Sequence, residues 1–177
     1  MRIRNYRQND IEILIYIQHL AAQADGTRAI DTHDFETWLL KPEVEARFNV
    51  FVVTDDDESN AWGQGGTLEG LEGEVIGYTT LQLRQDEHAY HFLCEGVVHP
   101  QHRRRGAGTA LLICALNRAR LLAAGFDLSI EGKDHPIYFE ALLPIRDPAS
   151  RHLAARCDME PTEEHIVPGM KLYRRVL

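Results

Sequence analysis

The stretch from 95 to 112, EGVVHPQHRRRGAGTALL, constrains this chain most, because a glycine turn flanked by arginines directly precedes an apolar helix pattern. Gly106 and Gly108 let the backbone approach an anion closely. The first amides of the following helix, predicted from Thr109, have no intrahelical acceptor, and the helix dipole adds partial positive charge there. Three consecutive arginines at 103–105 add formal charge. The pattern therefore predicts a pocket for a pyrophosphate.

Length and composition favour one ordinary globular domain over residues 1–177. Hydrophobic residues make up 44% of the 177 and charged residues 26%, a balance typical of folded proteins rather than disordered ones. No apolar run approaches the ~18–20 residues of a membrane span, and the first ten residues lack the apolar core of a secretory signal. We therefore expect a cytoplasmic protein without a membrane partner.

Charge and the metal-binding residue types exclude several functions. Three cysteines at wide, irregular spacing fit neither a disulfide framework nor a zinc site, and their odd number suits a reducing compartment. His88 and His91 are three apart on a predicted strand and so point to opposite faces. The formal net charge of -8 argues against nucleic-acid binding and favours cationic substrates such as amines. No metal site is expected.

The first part of the chain alternates helix and strand patterns. Apolar residues recur at helical spacing from Asn9, a candidate cap, to about Ala24. A second short helix is expected before Pro42. Runs rich in β-branched and aromatic residues predict strands, and glycines and carboxylates predict a long loop at 55–74, either a solvated tip or a partner-binding loop. The strands are expected at 2–6, 48–54, 75–84 and 89–99.

The second part begins with the 3.6-residue pattern that runs from Thr109 to Gly125. A fifth strand is predicted at 126–131, parallel to the fourth because a crossover helix precedes it. Asp147-Pro148 is a good helix opening, and 171–177 closes the chain as a strand. The predicted fold is α+β, a mixed sheet with helices on both faces.

The glycine turn resembles a known signature. Val98-His99-Pro100 followed by Arg103-x-x-Gly106-x-Gly108 and an apolar helix is similar to the acetyl-CoA signature of the GNAT superfamily of N-acyltransferases. The resemblance implies a mostly antiparallel central sheet with a parallel pair at strands four and five. It also implies acetyl-CoA as the acyl donor, bound by Val97, Val98, Arg103, Arg104, Arg105, Gly106, Ala107, Gly108 and Thr109.

Glu95 is the first candidate for the catalytic base, because many members of the family carry a glutamate at this position. Its apolar neighbours indicate partial burial, which would raise its pKa toward a useful range. The alternative is a strand carboxylate that faces solvent or pairs with an arginine. Glu131 is a second candidate base. The resemblance further implies that the fourth strand splays from its neighbour, with a bulge at Gly96 and a backbone amide near Val98 for the oxyanion.

The proton donor departs from the family pattern. The family usually shows Asn-x-x-Ala-x-x-x-Tyr, whereas this chain has Asp147 at the first position and Ala154 where the tyrosine would be. An alanine cannot protonate a thiolate. Tyr138 or His152 are the residues considered as substitutes, although a loop or helix role without catalytic duty is the simpler interpretation of each.

These observations predict an N-acetyltransferase that transfers an acetyl group from acetyl-CoA to a primary amine of a small molecule or peptide. The alternative is a non-catalytic acyl-CoA-binding module, either a sensor or the degenerate half of a tandem acyltransferase. A third hypothesis is a structural domain that binds no cofactor. Dimers are common for such folds, so a homodimer is among the partners considered.

Overall fold

The computed structural model describes residues 1–55, 73–126, 135–164 and 166–177. Within these ranges, seven strands form one sheet in the order β1-β2-β3-β4-β5-β7-β6. The strands β1 to β7 are Arg2–Asn5, Val50–Asp55, Glu74–Gln85, Tyr90–Val98, Ile137–Pro144, Glu160–Pro161 and Met170–Val176. The helices α1 to α5 are Ile11–Asp25, Thr32–Leu39, Ala46–Asn49, Ala107–Phe126 and Ala149–Ala155.

Every neighbouring pair of strands is antiparallel except β4 and β5, which are parallel. The parallel pair follows from the crossover through α4, since a helix between two strands returns the chain in the same direction. The predicted fold class, a mixed sheet with a parallel pair at strands four and five, is therefore confirmed.

The sheet carries helices on both faces. On one face α4 and α5 bury a cluster that includes Phe92, Cys94 and Phe139. On the other face α1 and α2 pack Leu14 and Phe35 against strands β2 and β3. Among the described helices, α4 has the length and apolar composition that could cross a membrane. Its fully buried Ala115 and Ala119 lie against the sheet instead, as in the core helix of a globular fold.

The strand that runs parallel to β4 is not where we predicted it. Phe126 is the last residue of α4, and its ring lies 6.0 Å from that of Phe92. The rest of the predicted strand, and the candidate base Glu131, lie outside the described residues. The parallel strand is β5, whose pattern is interrupted by the buried Glu140. Arg174 donates a 2.6 Å hydrogen bond to Glu140, and this ion pair allows a carboxylate in the strand.

Two element boundaries and one predicted bulge also differ from the structure. Strand β2 begins at Val50, because the residues before it form the short helix α3. Helix α4 begins at Ala107, two residues before the predicted start. The predicted bulge at Gly96 is wrong, since the β3–β4 register continues through it without a shift. Gly96 is required for close approach instead, because a Cβ there would lie 2.7 Å from the carbonyl oxygen of Tyr78.

Candidate functional site

A cavity of about 810 Å³ lies where strands β4 and β5 diverge. The parallel pairing ends at Cys94 and Ala141, although β4 continues to Val98 and β5 to Pro144. Most of the predicted site residues line this cavity. The exceptions are Arg105 and Ala107. The predicted residues in the lining are Glu95, Val97, Val98, Arg103, Arg104, Gly106, Gly108 and Thr109.

The glycine turn places the start of α4 at the cavity. Gly106 has a φ of 92°, which an L side chain rarely adopts, and its carbonyl accepts from the amide of Ala110 at 3.0 Å. Gly106 is therefore the cap, and Ala107, Gly108 and Thr109 supply the first three helical amides. Amides in the first turn have no acceptor in a preceding turn, so they are donors for an anion.

Each of the three arginines of the turn pairs with a carboxylate of the protein. Arg103 binds Asp25 through two hydrogen bonds of 2.6 and 2.9 Å, and its Nε donates to the Val98 carbonyl at 3.1 Å. Arg104 lies 2.7 Å from Asp147 at the start of α5. Arg105 lies 3.6 Å from Asp55 at the end of β2. The arginines thus hold three separate elements around the turn, and their charge is largely balanced.

Glu95 projects into the cavity from the face of the sheet that α1 and α2 cover. Its neighbours on this face of β4 are Leu93 and Val97, whereas Cys94 and Val98 pack toward α4. The Glu95 side chain is accessible to solvent through the open cavity, but many protein atoms lie close to its carboxyl group. This desolvation raises the pKa of Glu95, and the nearby Arg84 partly opposes the shift. The carboxyl is a candidate proton acceptor near neutrality.

Aromatic side chains form the wall on the same side. The Phe35 ring stacks on Trp38 at 6.2 Å and lies 5.7 Å from the ring of Tyr78. All three line the cavity. Burial, and the charge of Glu95, raise the pKa of the Tyr78 hydroxyl, so Tyr78 stays neutral. The wall therefore offers an apolar surface for the stem of an acceptor molecule.

The residues considered as proton donors are not equally placed. Ala154 is fully buried in the core between α4 and the sheet. Tyr138 lies on β5 outside the cavity lining, with the Arg174 guanidinium 5.0 Å from its ring centre. His152 lines the cavity. Cys94 also lines it, but burial raises the pKa of its thiol to about 12, which leaves it protonated.

Sequence reasoning missed several polar residues of the cavity, among them Asp25, Arg156 and Gln18. Asp25 ends α1, where a carboxylate opposes the helix dipole, and this unfavourable position was a signal that it needs a cation. Arg156, at the C-terminal end of α5, lines the cavity and forms no ion pair with the described residues. Gln18 lies on the buried face of α1 and is 6% exposed. A glutamine inside an apolar helical stripe was the signal for it.

Comparisons with known proteins agree with this arrangement. The sequence model of the "Acetyltransferase (GNAT) family" matches residues 24–135. A mycothiol acetyltransferase of Amycolatopsis mediterranei is 35% identical over 97 residues, which are 55% of this chain and 27% of that protein. The matches with curated mycothiol acetyltransferases span 16 to 27% of those proteins' lengths.

Two solved structures resemble the whole chain. The ribosomal-protein-alanine N-acetyltransferase of Brucella melitensis has a TM-score of 0.65 at 17% identity, with all of both chains covered. The yncA protein of Salmonella typhimurium, solved with its cofactor acetyl-CoA, has a TM-score of 0.64 at 19% identity, and the match covers 100% of this chain and 92% of that one. These TM-scores establish a common fold. Since the family model covers more than half of the sequence, the chain belongs to the acetyltransferase (GNAT) family.

Proposed function

We propose that this protein transfers an acetyl group from acetyl-CoA to a primary amine of a small molecule or peptide. The observation that carries the proposal is the continuity of one cavity from the amides of the glycine turn to the Glu95 carboxyl. The divergence of β4 from β5 makes this continuity, because it joins the face that carries α4 to the face that carries α1 and α2.

The donor end of the cavity fits a pyrophosphate through its backbone. The amides of Gly108 and Thr109, two residues that line the cavity, are the donors, and Gly108 has no side chain to fill the space in front of them. Because Arg103 to Arg105 are paired with carboxylates, we assign them mainly to shaping the turn. Arg156 is the cation of this end that has no protein counter-ion among the described residues.

Glu95 acts as the base that accepts a proton from the acceptor ammonium. A primary amine is mostly protonated near neutrality, since a lysine-like group titrates near ~10.4. Because the pKa of Glu95 is raised, the difference between it and the pKa of the ammonium group is smaller, and proton transfer is easier. The amine nitrogen then attacks the acetyl carbonyl, the carbon–sulfur bond breaks as the thiolate of coenzyme A leaves, and the nitrogen releases its second proton to water.

The amide of Val98 is our candidate donor to the developing oxyanion. The Val98 carbonyl accepts from Arg103, so it points away from β3. Since the amide and carbonyl of one strand residue point to the same side, the Val98 amide also faces the gap beside β5. A preorganised amide in that position stabilises negative charge on the carbonyl oxygen.

The leaving thiolate of coenzyme A must also receive a proton. Ala154 carries no proton and lies in the core, whereas His152 lines the cavity. We therefore assign this step to His152 or to water. The same alanine supports the alternative function, a coenzyme A-binding module without turnover.

A thiol-release assay distinguishes the two functions. Purified protein is incubated with acetyl-CoA and a broad panel of primary amines, and free coenzyme A is measured over time. Steady release that depends on an amine supports the transferase. Calorimetric binding of coenzyme A without release for any amine supports the binding module. The absence of both would contradict either function.

A further inference from the structure

Gln18 lies on the inner face of α1, and its side chain lines the cavity. It is 6% exposed, and its carboxamide makes no hydrogen bond with the described residues. The remaining accessible surface of Gln18 faces the cavity. The donors and the acceptor of this carboxamide are therefore open to whatever fills the cavity.

Helix α1 holds Gln18 over the strands that carry the base. One turn earlier, Leu14 packs in the same buried cluster as Tyr78 of β3. Two turns later, Asp25 binds Arg103, which in turn contacts the backbone of β4. Gln18 thus lies between these anchors, on the face of the sheet from which Glu95 projects. Both side chains line the same cavity, so the space beside the base is continuous with the space in front of the carboxamide.

The charges on this side of the cavity balance. The described lining residues from α1 to β4, apart from the Asp25–Arg103 pair, include Arg28 and Arg84 as cations and Asp34 and Glu95 as carboxylates. A polycation or a strongly anionic acceptor would meet no excess of opposite charge. A neutral polar group, in contrast, matches a carboxamide, which both donates and accepts hydrogen bonds.

We propose that Gln18 determines acceptor specificity by hydrogen-bonding a neutral hydroxyl or amide group close to the reacting amine. This proposal rests on the proposed function and narrows the acceptors to amino alcohols and amino-acid amides, including peptide N-termini. Simple alkylamines leave the carboxamide unmet, and that cost opposes their binding.

The test uses isosteric pairs of amines. Ethanolamine is compared with propylamine, and glycinamide with isobutylamine, by kcat/KM in the wild type, Gln18→Leu and the control Gln23→Leu on the exposed face of α1. We expect the wild type and Gln23→Leu to prefer the polar member at least about tenfold. In Gln18→Leu the ratio falls to about one or reverses. Its melting temperature stays close to that of the wild type, because Gln18 makes no hydrogen bond with the described residues, and coenzyme A affinity is unchanged.

Two outcomes would overturn the assignment. One is a wild type without preference for the polar amine. The other is a Gln18→Leu variant that melts earlier but keeps the preference, which would make Gln18 structural. If the wild type turns over no amine, the proposed function fails, and binding of glycinamide and isobutylamine to the coenzyme A complex is measured by calorimetry. A preference for glycinamide lost in Gln18→Leu then upholds the Gln18 proposal, and its absence rejects it.

Discussion

The two ends of the cavity are built in opposite ways. The donor end comes from one short segment, 97–109, where backbone amides face the cavity and the arginine side chains are satisfied by the protein's own carboxylates. The acceptor end gathers single residues from α1, α2, β3 and β4, and Gln18 there has no hydrogen-bond partner in the part of the chain that the structure describes. Under the proposed function, the cosubstrate would bind to a preformed turn, whereas the acceptor would bind to side chains that are not already paired within the protein.

The largest expected effect on the difference between the two ends comes from substitution of Glu95, the proposed base. We expect Glu95→Gln to lower kcat/KM at least about 100-fold, because the amine loses its proton acceptor. Wild-type kcat/KM should rise with pH as Glu95 ionises, and this limb should vanish in the variant. Coenzyme A affinity should not change. Glu87→Gln, in the exposed β3–β4 hairpin, is the control, and a loss under threefold at Glu95 would remove it from the mechanism.

The donor end is tested by filling the space in front of its amides. Gly108→Val should weaken coenzyme A binding at least about tenfold, since the side chain takes the place of the ligand. The fold should persist, because a Cβ there meets Leu153 at 3.8 Å, an ordinary contact. The control is Gly125→Val near the other end of α4, where a Cβ has open space. Equal calorimetric affinities for the two variants would argue against the predicted pyrophosphate site.

The bracing of the turn predicts a stability effect. Asp25→Asn breaks the paired hydrogen bonds to Arg103, whose side chain is 21% exposed, and should lower the free energy of unfolding by about 2 kcal/mol. Arg105→Gln is the control, because its side chain is 63% exposed and should contribute under ~1 kcal/mol. Denaturant unfolding measures both. Equal losses of unfolding free energy in the two variants would show that the Arg103 ion pair stabilises the fold no more than the Arg105 ion pair.

The smallest effect concerns the pH dependence of stability. The folded state raises the pKa of Glu95 above its ordinary value of 4.5, so it favours the protonated form. That contribution is complete at low pH and is lost as pH rises through the raised pKa. Glu95→Gln resembles the neutral form, so its melting temperature should exceed that of the wild type at pH 8 and match it at pH 4. The opposite trend would mean that the fold stabilises the carboxylate.

Sequence patterns pointed to the residues of the glycine turn more readily than to those of the proposed acceptor end, for a physical reason. The glycine turn is formed by residues adjacent in sequence, so a short motif that includes Gly106 is enough to predict its backbone conformation. Gln18 becomes informative only when α1 packs over β4, which depends on contacts distant in sequence. Strand β5 was missed for a similar reason. Glu140 interrupts the apolar pattern of this buried strand, and Arg174, which neutralises it, lies 34 residues later in the sequence.

The pairing of Asp25 with Arg103 gives α1 a second consequence. Gln18 and Asp25 are two turns apart on one continuous helix, which spans ~10 Å between them. If Gln18 binds the amine and the glycine turn binds the cosubstrate as proposed, the helix that joins Gln18 to Asp25 would couple the binding of the two substrates. Such coupling is reciprocal, so each substrate changes the affinity for the other by the same factor. Initial-rate kinetics with both substrates varied would then show lines that intersect away from the abscissa.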